Sequence, residues 1–119
     1  MSDHPPPPMG SNVTVDLLRQ LFRSYLRWQH LFEEHGIDTI TLEGVDWSWW
    51  DLRDWYRISQ SGLSRRQSQA IEMFLVQDMS EAKVAKVMGI KPGNPVGMYA
   101  TDGLRRLIKL CGVESGVAV

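Results

Sequence analysis

The stretch KVMGIKPGNPVGMYATDGLRRL, residues 86–107, decides how the C-terminal half of this chain folds. Gly89 can take the left-handed backbone conformation that ends a helix and turns the chain. Asn94 and Pro95 are the residue types preferred at the N-cap and at the first helical position. The stretch therefore predicts a helix that ends at Gly89, a tight turn, and a final helix that starts at Asn94.

The final helix carries one face of small and aliphatic side chains. Val96, Ala100, Gly103 and Leu107 follow one another at steps of four, three and four residues, which places all of them on a single side of the helix. Since Ala100 and Gly103 are very small, this face predicts that the helix crosses its neighbours at close range.

Two capping patterns lie upstream of this stretch. Ser64 with Gln67 forms a capping-box pattern and predicts a helix that ends near Gln77. Ser80 is a suitable N-cap for the short helix that ends at Gly89. A helix, a short helix, a glycine turn and a final helix together make the helix-turn-helix plan. The apolar positions of the first two helices are Ala70, Ile71, Phe74, Leu75, Val84, Ala85 and Met88.

The segment LSRRQSQAIEMFLVQDMSEAKVAKVMGI, residues 63–90, resembles the start of region four of bacterial sigma factors and related transcription regulators. Members of that family carry Leu-Ser/Thr-x-Arg-Gln before the first helix and an lSxxEIAxxLGI segment after it. The resemblance covers about residues 62–110, and Val96 to Leu107 fits the family's final helix. The positions that match the second segment are Ser80, Val84, Ala85, Met88, Gly89 and Ile90.

The resemblance implies a domain that binds double-stranded promoter DNA and docks on RNA polymerase. Small proteins that join such a domain to a divergent N-terminal half look most like phage genes of actinobacteria, which makes another host protein an alternative partner. This chain departs from the family in its turn, where KPGNP (residues 91–95) adds one residue and two prolines. The longer turn predicts a different entry angle for the final helix.

Bases would be read by the exposed face of the final helix. The base-contact positions expected there are Asn94, Gly97, Met98 and Thr101. Base readout relies mainly on Arg, Lys, Asn or Gln side chains, and of these four residues only Asn94 and Thr101 carry hydrogen-bonding side chains. Asp102 would face phosphates unfavourably. The sequence thus predicts a helix-turn-helix scaffold with few side chains suited to reading bases.

The sequence offers more candidate residues for phosphate contacts than for base contacts. The first 61 residues hold five arginines against nine acidic residues, whereas residues 62–119 hold eight basic against five acidic residues. This asymmetry favours a polyanionic partner for the basic half, although solvated surface charges explain it about equally well. Neutralising phosphates supplies most non-specific affinity for DNA. The candidates for phosphate contacts are Arg65, Arg66, Lys83, Lys86, Lys91, Arg105, Arg106 and Lys109.

The N-terminal half begins with a proline-rich arm and a predicted long helix. Pro5 to Pro8 cannot form a helix, so residues 1–11 are expected to be disordered. A long helix is predicted from the N-cap Thr14 to Gly36. Its apolar stripe must be covered by the rest of the chain or by a second copy, as in a homodimer. The stripe consists of Leu18, Leu21, Tyr25, Trp28 and Phe32, widened by Leu17, Phe22, Leu26 and Leu31.

A second, tryptophan-rich helix is predicted after an extended connector over residues 36–46. Ser48 with Asp51 fits a capping box, and the helix that it opens runs to about Gln60. Tryptophan is the largest apolar side chain, so most of this cluster is expected to pack against the long helix.

The tryptophans divide into two predicted groups. Trp47 and Trp55 are expected to be the better-buried pair. Trp49 and Trp50 are the candidates for a partner-binding surface, because tryptophan is enriched at the energetic centres of protein interfaces.

The sequence contains no convergent set of catalytic residues, metal ligands or cofactor-binding motifs. Cys111 is the single cysteine, which excludes an internal disulfide and a CxxC metal site. His30 and His35 are five residues apart, off the one-turn spacing that would direct both at one metal ion. We expect no enzymatic activity, no metal and no cofactor. With no apolar run near the ~20 residues of a membrane span, we expect a cytoplasmic protein.

The predicted fold is all-α: a trihelical helix-turn-helix domain with the long N-terminal helix and the tryptophan-rich helix packed on it. Its parts are a proline-rich arm over 1–11, a helical extension over 12–61, the sigma-region-four-like domain over 62–111 and a flexible tail over 112–119. The predicted function is a small DNA-binding transcription regulator. The alternatives are a phage protein-interaction module that binds host machinery through a degenerate helix-turn-helix, and an oligomeric DNA-packaging subunit that resembles small terminases.

Overall fold

A computed structural model describes residues 13–91 and 94–116, without the side chains of Val45, Asn94 and 112–116, and shows a mostly helical chain. The proline-rich arm over 1–11 lies outside the described residues. The elements in chain order are helices α1 (Val15–Arg23) and α2 (Tyr25–His35), strands β1 (Thr39–Leu42) and β2 (Val45–Ser48), helices α3 (Trp49–Ser61) and α4 (Arg65–Ala70), a π-helical segment (Ile71–Val76), and helices α5 (Glu81–Met88) and α6 (Asn94–Gly116).

The predicted long N-terminal helix is two helices, which corrects the sequence-based expectation. Its ends are as predicted: the Thr14 hydroxyl accepts a hydrogen bond from the Leu17 N–H at 3.0 Å, and Gly36 ends α2 with φ of 67°. The helical path breaks at Ser24, whose φ and ψ are −100° and 4°. Helix α1 packs on α6 and the π-helical segment, whereas α2 packs on α3. The apolar stripe therefore serves two different partners.

The predicted connector forms a β-hairpin, so the chain is not strictly all-α. Strands β1 and β2 are antiparallel, with Ile40 opposite Trp47 and Leu42 opposite Val45. Glu43 and Gly44 join them with φ of 52° and 76°. Two left-handed residues in a two-residue loop match the right-handed twist of a hairpin. The buried side chains of Ile40 and Trp47 attach this hairpin to the core.

Helix α3 begins as predicted. The Ser48 hydroxyl accepts hydrogen bonds from the N–H groups of Trp50, at 3.1 Å, and Asp51, at 3.4 Å. These bonds satisfy two of the N–H groups that a helix start leaves without intrahelical partners. The helix extends to Ser61, one residue beyond the predicted end.

The structure places most of the tryptophans in the core. Trp47 and Trp55 are fully buried, as predicted, and their rings pack edge to face at 5.5 Å. Trp49 is only 2% exposed and packs on Tyr25, with the ring centres 5.1 Å apart. The assignment of Trp49 to a partner-binding surface is therefore wrong for this conformation. Trp50 is 37% exposed and reaches solvent.

Two of the three N-caps predicted in the C-terminal half, Ser64 and Ser80, are confirmed, whereas α6 begins at Asn94 itself, so Asn94 is a helical residue and not the N-cap. Ser64 and Gln67 bond reciprocally in a capping box, and the Ser80 hydroxyl accepts from the Lys83 N–H at 3.2 Å. The helix that starts at Arg65 loosens to a π-helix, in which the Gln77 N–H bonds to a carbonyl five residues back at 2.9 Å. No sequence pattern indicated this change of helical pitch.

Helix α6 buries the predicted face. Val96, Ala100 and Leu107 are buried, and the helix crosses α4 closely at Gly103. A Cβ added to Gly103 would lie 2.9 Å from Ile71 Cδ1 and 3.2 Å from Gln67 Cβ. These distances are shorter than the ~3.5–4.0 Å at which carbon atoms attract one another best, so a side chain at this position would force Ile71 and Gln67 to shift.

The two predicted halves of the chain share one hydrophobic core, in which residues of α1, the hairpin and α3 contact residues of α4, the π-helical segment and α6. A smaller cluster joins α5 to α6 through Val84, Ala85 and Val96. Helix α6 continues to Gly116. Residues 112–116 therefore extend the helix and are not the start of a tail, while 117–119 lie outside the described residues.

Candidate nucleic-acid interface

The turn between α5 and α6 begins as predicted, with Gly89 in the left-handed conformation. Gly89 adopts φ of 72°, and the Ile90 N–H bonds to the Ala85 carbonyl at 3.0 Å, which closes the end of α5. Residues 92 and 93 lie outside the described residues. Because Val84 and Ala85 are buried against Val96, the start of α6 is held directly against α5.

The face of α6 opposite this contact points to solvent. Met98 is 61% exposed, and Asp102, Arg105 and Lys109 are also exposed. The Arg105 guanidinium lies 3.6 Å from the Asp102 carboxylate, one helical turn away. An exposed pair of this kind contributes little to folding, so Arg105 can exchange this partner for another anion.

Among the predicted base-contact residues whose side chains the structure describes, only Met98 is exposed, at 61%. Gly97 and Thr101 are half-buried at the edge of the helix, and the Asn94 side chain lies outside the described residues. A Cβ added to Gly97 would lie 3.6 Å from Glu81 Oε2 of α5. The exposed surface available for base contacts on α6 is thus narrower than the sequence predicted, because neighbouring helices cover Gly97 and Thr101 on one side.

Arg19 of α1 covers the edge of α6 at Thr101. Its Nη2 donates to the Thr101 hydroxyl at 3.0 Å, while its Nη1 donates to Asp16 at 2.5 Å. Sequence reasoning missed this residue, since a helical position 82 residues away carries no signal of the contact. The Arg19 side chain remains 30% exposed, so the guanidinium is held in place yet open to a ligand.

Arg19 and three of the predicted base-contact residues, Gly97, Met98 and Thr101, line one open concavity of about 540 Å³. Two arginines and two carboxylates border it, so its charges balance. The aromatic ring of Phe74 closes it on the side of the π-helical segment. Its lining residues are Arg19, Phe74, Glu81, Gly97, Met98, Ala100, Thr101, Asp102 and Arg105.

All eight predicted phosphate-contact residues are exposed. They lie at the start of α4 (Arg65, Arg66), on α5 (Lys83, Lys86), in the turn (Lys91) and along α6 (Arg105, Arg106, Lys109). Arg66 donates to the Tyr99 hydroxyl at 2.9 Å and lies over that ring, which joins α4 to α6.

A second concavity, of about 390 Å³, lies between α2 and α3. Tyr25 and Tyr56 stack in its floor with ring centres 4.3 Å apart, and the Tyr56 hydroxyl donates to the Glu72 carboxylate. Burial raises the pKa of Tyr25. Burial, followed by the hydrogen bond to Glu72, raises the pKa of Tyr56. The stacked rings and the Tyr56–Glu72 hydrogen bond form an aromatic cluster at this concavity.

Within the part of the chain that the structure describes, no group of three His, Cys, Asp or Glu side chains is placed to hold a metal ion. None of the described helices is long and apolar enough to cross a membrane. Comparisons with protein-family models, with curated proteins and with solved structures find no match to this chain.

Proposed function

We propose that this protein is a small bacterial or phage transcription regulator that binds double-stranded DNA through α4, α5 and α6. In this proposal the three helices act as a sigma-region-four-like helix-turn-helix. One observation carries the proposal: Gly89 turns the chain so that Val96 of α6 is buried against α5, while exposed basic side chains flank the solvent-facing side of α6.

Phosphate contacts supply most of the binding energy in this proposal. The exposed lysines of α5 and the exposed basic residues of α6 neutralise backbone phosphates and release condensed counterions. Each such contact adds about 0.9 to the slope of log K against log salt concentration. Lys83, Lys86 and Lys91 hold one side of the groove, and Arg105, Arg106 and Lys109 hold the other.

Fluorescence anisotropy with a labelled duplex of arbitrary sequence, at a series of salt concentrations, tests the proposal. Replacing Arg105 and Arg106 together with alanine should weaken binding to every duplex and reduce the salt slope by about two. The matched control replaces the exposed Arg27 of α2 and Arg53 of α3 with alanine. The control has the same charge change outside the proposed interface, so it should bind DNA nearly as well as the parent. Equal losses in both variants would contradict the proposed interface.

A protein-interaction module is the second candidate function, and a specific observation favours it. Glu81 and Asp102 place two carboxylates beside the predicted base-contact residues, and these carboxylates would repel a phosphate backbone. Exposed Met98 offers the kind of flexible apolar contact that protein interfaces use. If the parent protein binds no duplex at low salt, we infer that this face docks on a protein such as RNA polymerase or another host protein.

Self-association distinguishes the DNA-packaging alternative from the transcription regulator and from the protein-interaction module. The apolar face of α1 is covered by its own chain, so a homodimer through the N-terminal helices would have to use α2, where Leu26 is 50% exposed. Light scattering with size-exclusion chromatography distinguishes a ring from a monomer or dimer. A monomer at micromolar concentration contradicts a packaging ring.

A further inference from the structure

We propose that Arg19, which lies outside the three helices of the proposed DNA-binding unit, reads a guanine base. This inference rests on the proposed function, because it assumes that α6 enters the major groove. None of the predicted base-contact residues carries a cationic side chain, and only Asn94 carries an amide. The tertiary fold brings a guanidinium to the edge of that face from α1.

The position of Arg19 is fixed by two helices. Nη1 bonds to Asp16 on its own helix at 2.5 Å, and Nη2 bonds to the Thr101 hydroxyl of α6 at 3.0 Å. A long side chain that is held in one orientation loses little rotamer freedom when it binds. A guanidinium held in one orientation suits bidentate contact with a base edge, and a phosphate can be bound in the same way, so binding measurements on selected and arbitrary duplexes distinguish the two partners.

The hydrogen-bonding capacity of Arg19 suits a guanine. Arginine carries five N–H donors, and the two bonds to Asp16 and Thr101 are those formed within the described residues. The remaining donors can reach the O6 and N7 acceptors of guanine, the commonest specific contact in the major groove. The side chain is 30% exposed toward the concavity that it shares with Gly97, Met98 and Arg105.

The surroundings of Arg19 fit a G·C pair. Gly97 has no side chain, and the nearest atom to a Cβ there is a Glu81 carboxylate oxygen at 3.6 Å, so a base edge finds room beside α6. Carboxylates accept hydrogen bonds from cytosine N4. Glu81 and Asp102, which disfavour phosphates, are compatible with the cytosine that pairs with the guanine.

The test is selection from a random duplex library, followed by binding measurements on the selected site and on an arbitrary duplex. The parent should select a site with one strongly preferred guanine. Arg19→Ala should lose the preference at that position alone, with affinity for the selected site lower by about 5- to 150-fold and affinity for the arbitrary duplex little changed. Arg19→Lys keeps the charge but loses the planar fork, so it should lose most of the guanine preference too.

Three results overturn the inference or the function beneath it, and they are distinguishable. If the Arg19→Ala variant selects the same site as the parent, Arg19 does not read guanine, and the proposal of DNA binding is unaffected. Equal losses on selected and arbitrary duplexes assign Arg19 to a phosphate. Failure of the parent to bind any duplex refutes the proposed function itself. Urea unfolding of both variants shows whether α1 stays docked, and Arg57→Ala, an exposed arginine of α3, controls for loss of a positive charge.

Discussion

Replacing Gly103 with alanine should destabilise the protein, although alanine is the better helix former. The added Cβ would lie 2.9 Å from Ile71 Cδ1, 3.2 Å from Gln67 Cβ and 3.5 Å from Leu63 Cδ1. The end of the Ile71 side chain must shift, and since Ile71 is fully buried this shift disturbs the surrounding core. Gln67 Cβ is attached to the backbone of α4, so α4 and α6 must also separate by a few tenths of an ångström.

The magnitude follows from two opposing contributions. Alanine in a helix interior is favoured over glycine by about 1 kcal/mol. Overpacking of a close crossing costs about 1–3 kcal/mol, so the net loss of unfolding free energy is about 1 kcal/mol. Gly103→Leu adds a larger side chain at the same point and should cost about 3 kcal/mol or more.

Gly97 of the same helix provides the matched control. Around a Cβ at this position the structure shows only Glu81 Oε2, at an ordinary contact distance of 3.6 Å. Gly97→Ala should therefore stabilise the protein by up to about 1 kcal/mol. Urea unfolding followed by tryptophan fluorescence gives the unfolding free energy of both variants, and in thermal unfolding their melting temperatures should differ by about 8 °C. If both alanines stabilise the protein equally, α4 and α6 do not cross as closely as described.

Three further predictions concern other parts of the molecule. Replacing Arg105 and Arg106 with alanine should change the unfolding free energy by less than about 0.5 kcal/mol, because exposed charges contribute little; a larger loss in urea unfolding would place these side chains in the fold and not at its surface. Between pH 8 and 11 the contribution of Tyr25 and Tyr56 to stability should be level up to about pH 10, the usual phenol pKa, and fall above it, since their raised pKa values keep both phenols neutral in the folded state while the unfolded chain ionises; Tyr56→Phe should make this decline shallower in unfolding midpoints measured over that range, and an identical decline would contradict the role of Tyr56. Trp47→Ala removes a fully buried ring and should cost about 3–5 kcal/mol, whereas Trp50→Ala, at a partly exposed site, should cost much less; equal losses would mean that Trp50 also supports the core.

Sequence patterns located the ends of most helices because capping is local chemistry. Ser48, Ser64 and Ser80 each accept hydrogen bonds from N–H groups two or three residues away, so the residues involved lie within one short window. Gly36 and Gly89 end helices in the left-handed conformation that other residues adopt at a cost. The buried face of α6 was predictable for a similar reason, since helical geometry fixes which residues share a side.

The errors arose where a local pattern was compatible with two structures. The apolar stripe over residues 14–36 fits one helix or two, and the break at Ser24 depends on α1 and α2 packing on different partners. The connector was read as extended without a pairing partner, although the left-handed pair Glu43 and Gly44 closes a hairpin. Trp49 and Trp50 are neighbours in sequence, and only the position of α2 decides that Trp49 is buried.

The sequence by itself determined the helix caps, the glycine turn at Gly89 and the small-residue face of α6, because each depends on residues within a few turns of one another. Only the tertiary structure decided what surrounds the solvent-facing side of α6. The Arg19–Thr101 hydrogen bond joins residues 82 positions apart, and its existence depends on how α1 docks on the rest of the core. A contact between distant segments is set by the packing of whole helices, and no local preference of either residue encodes it.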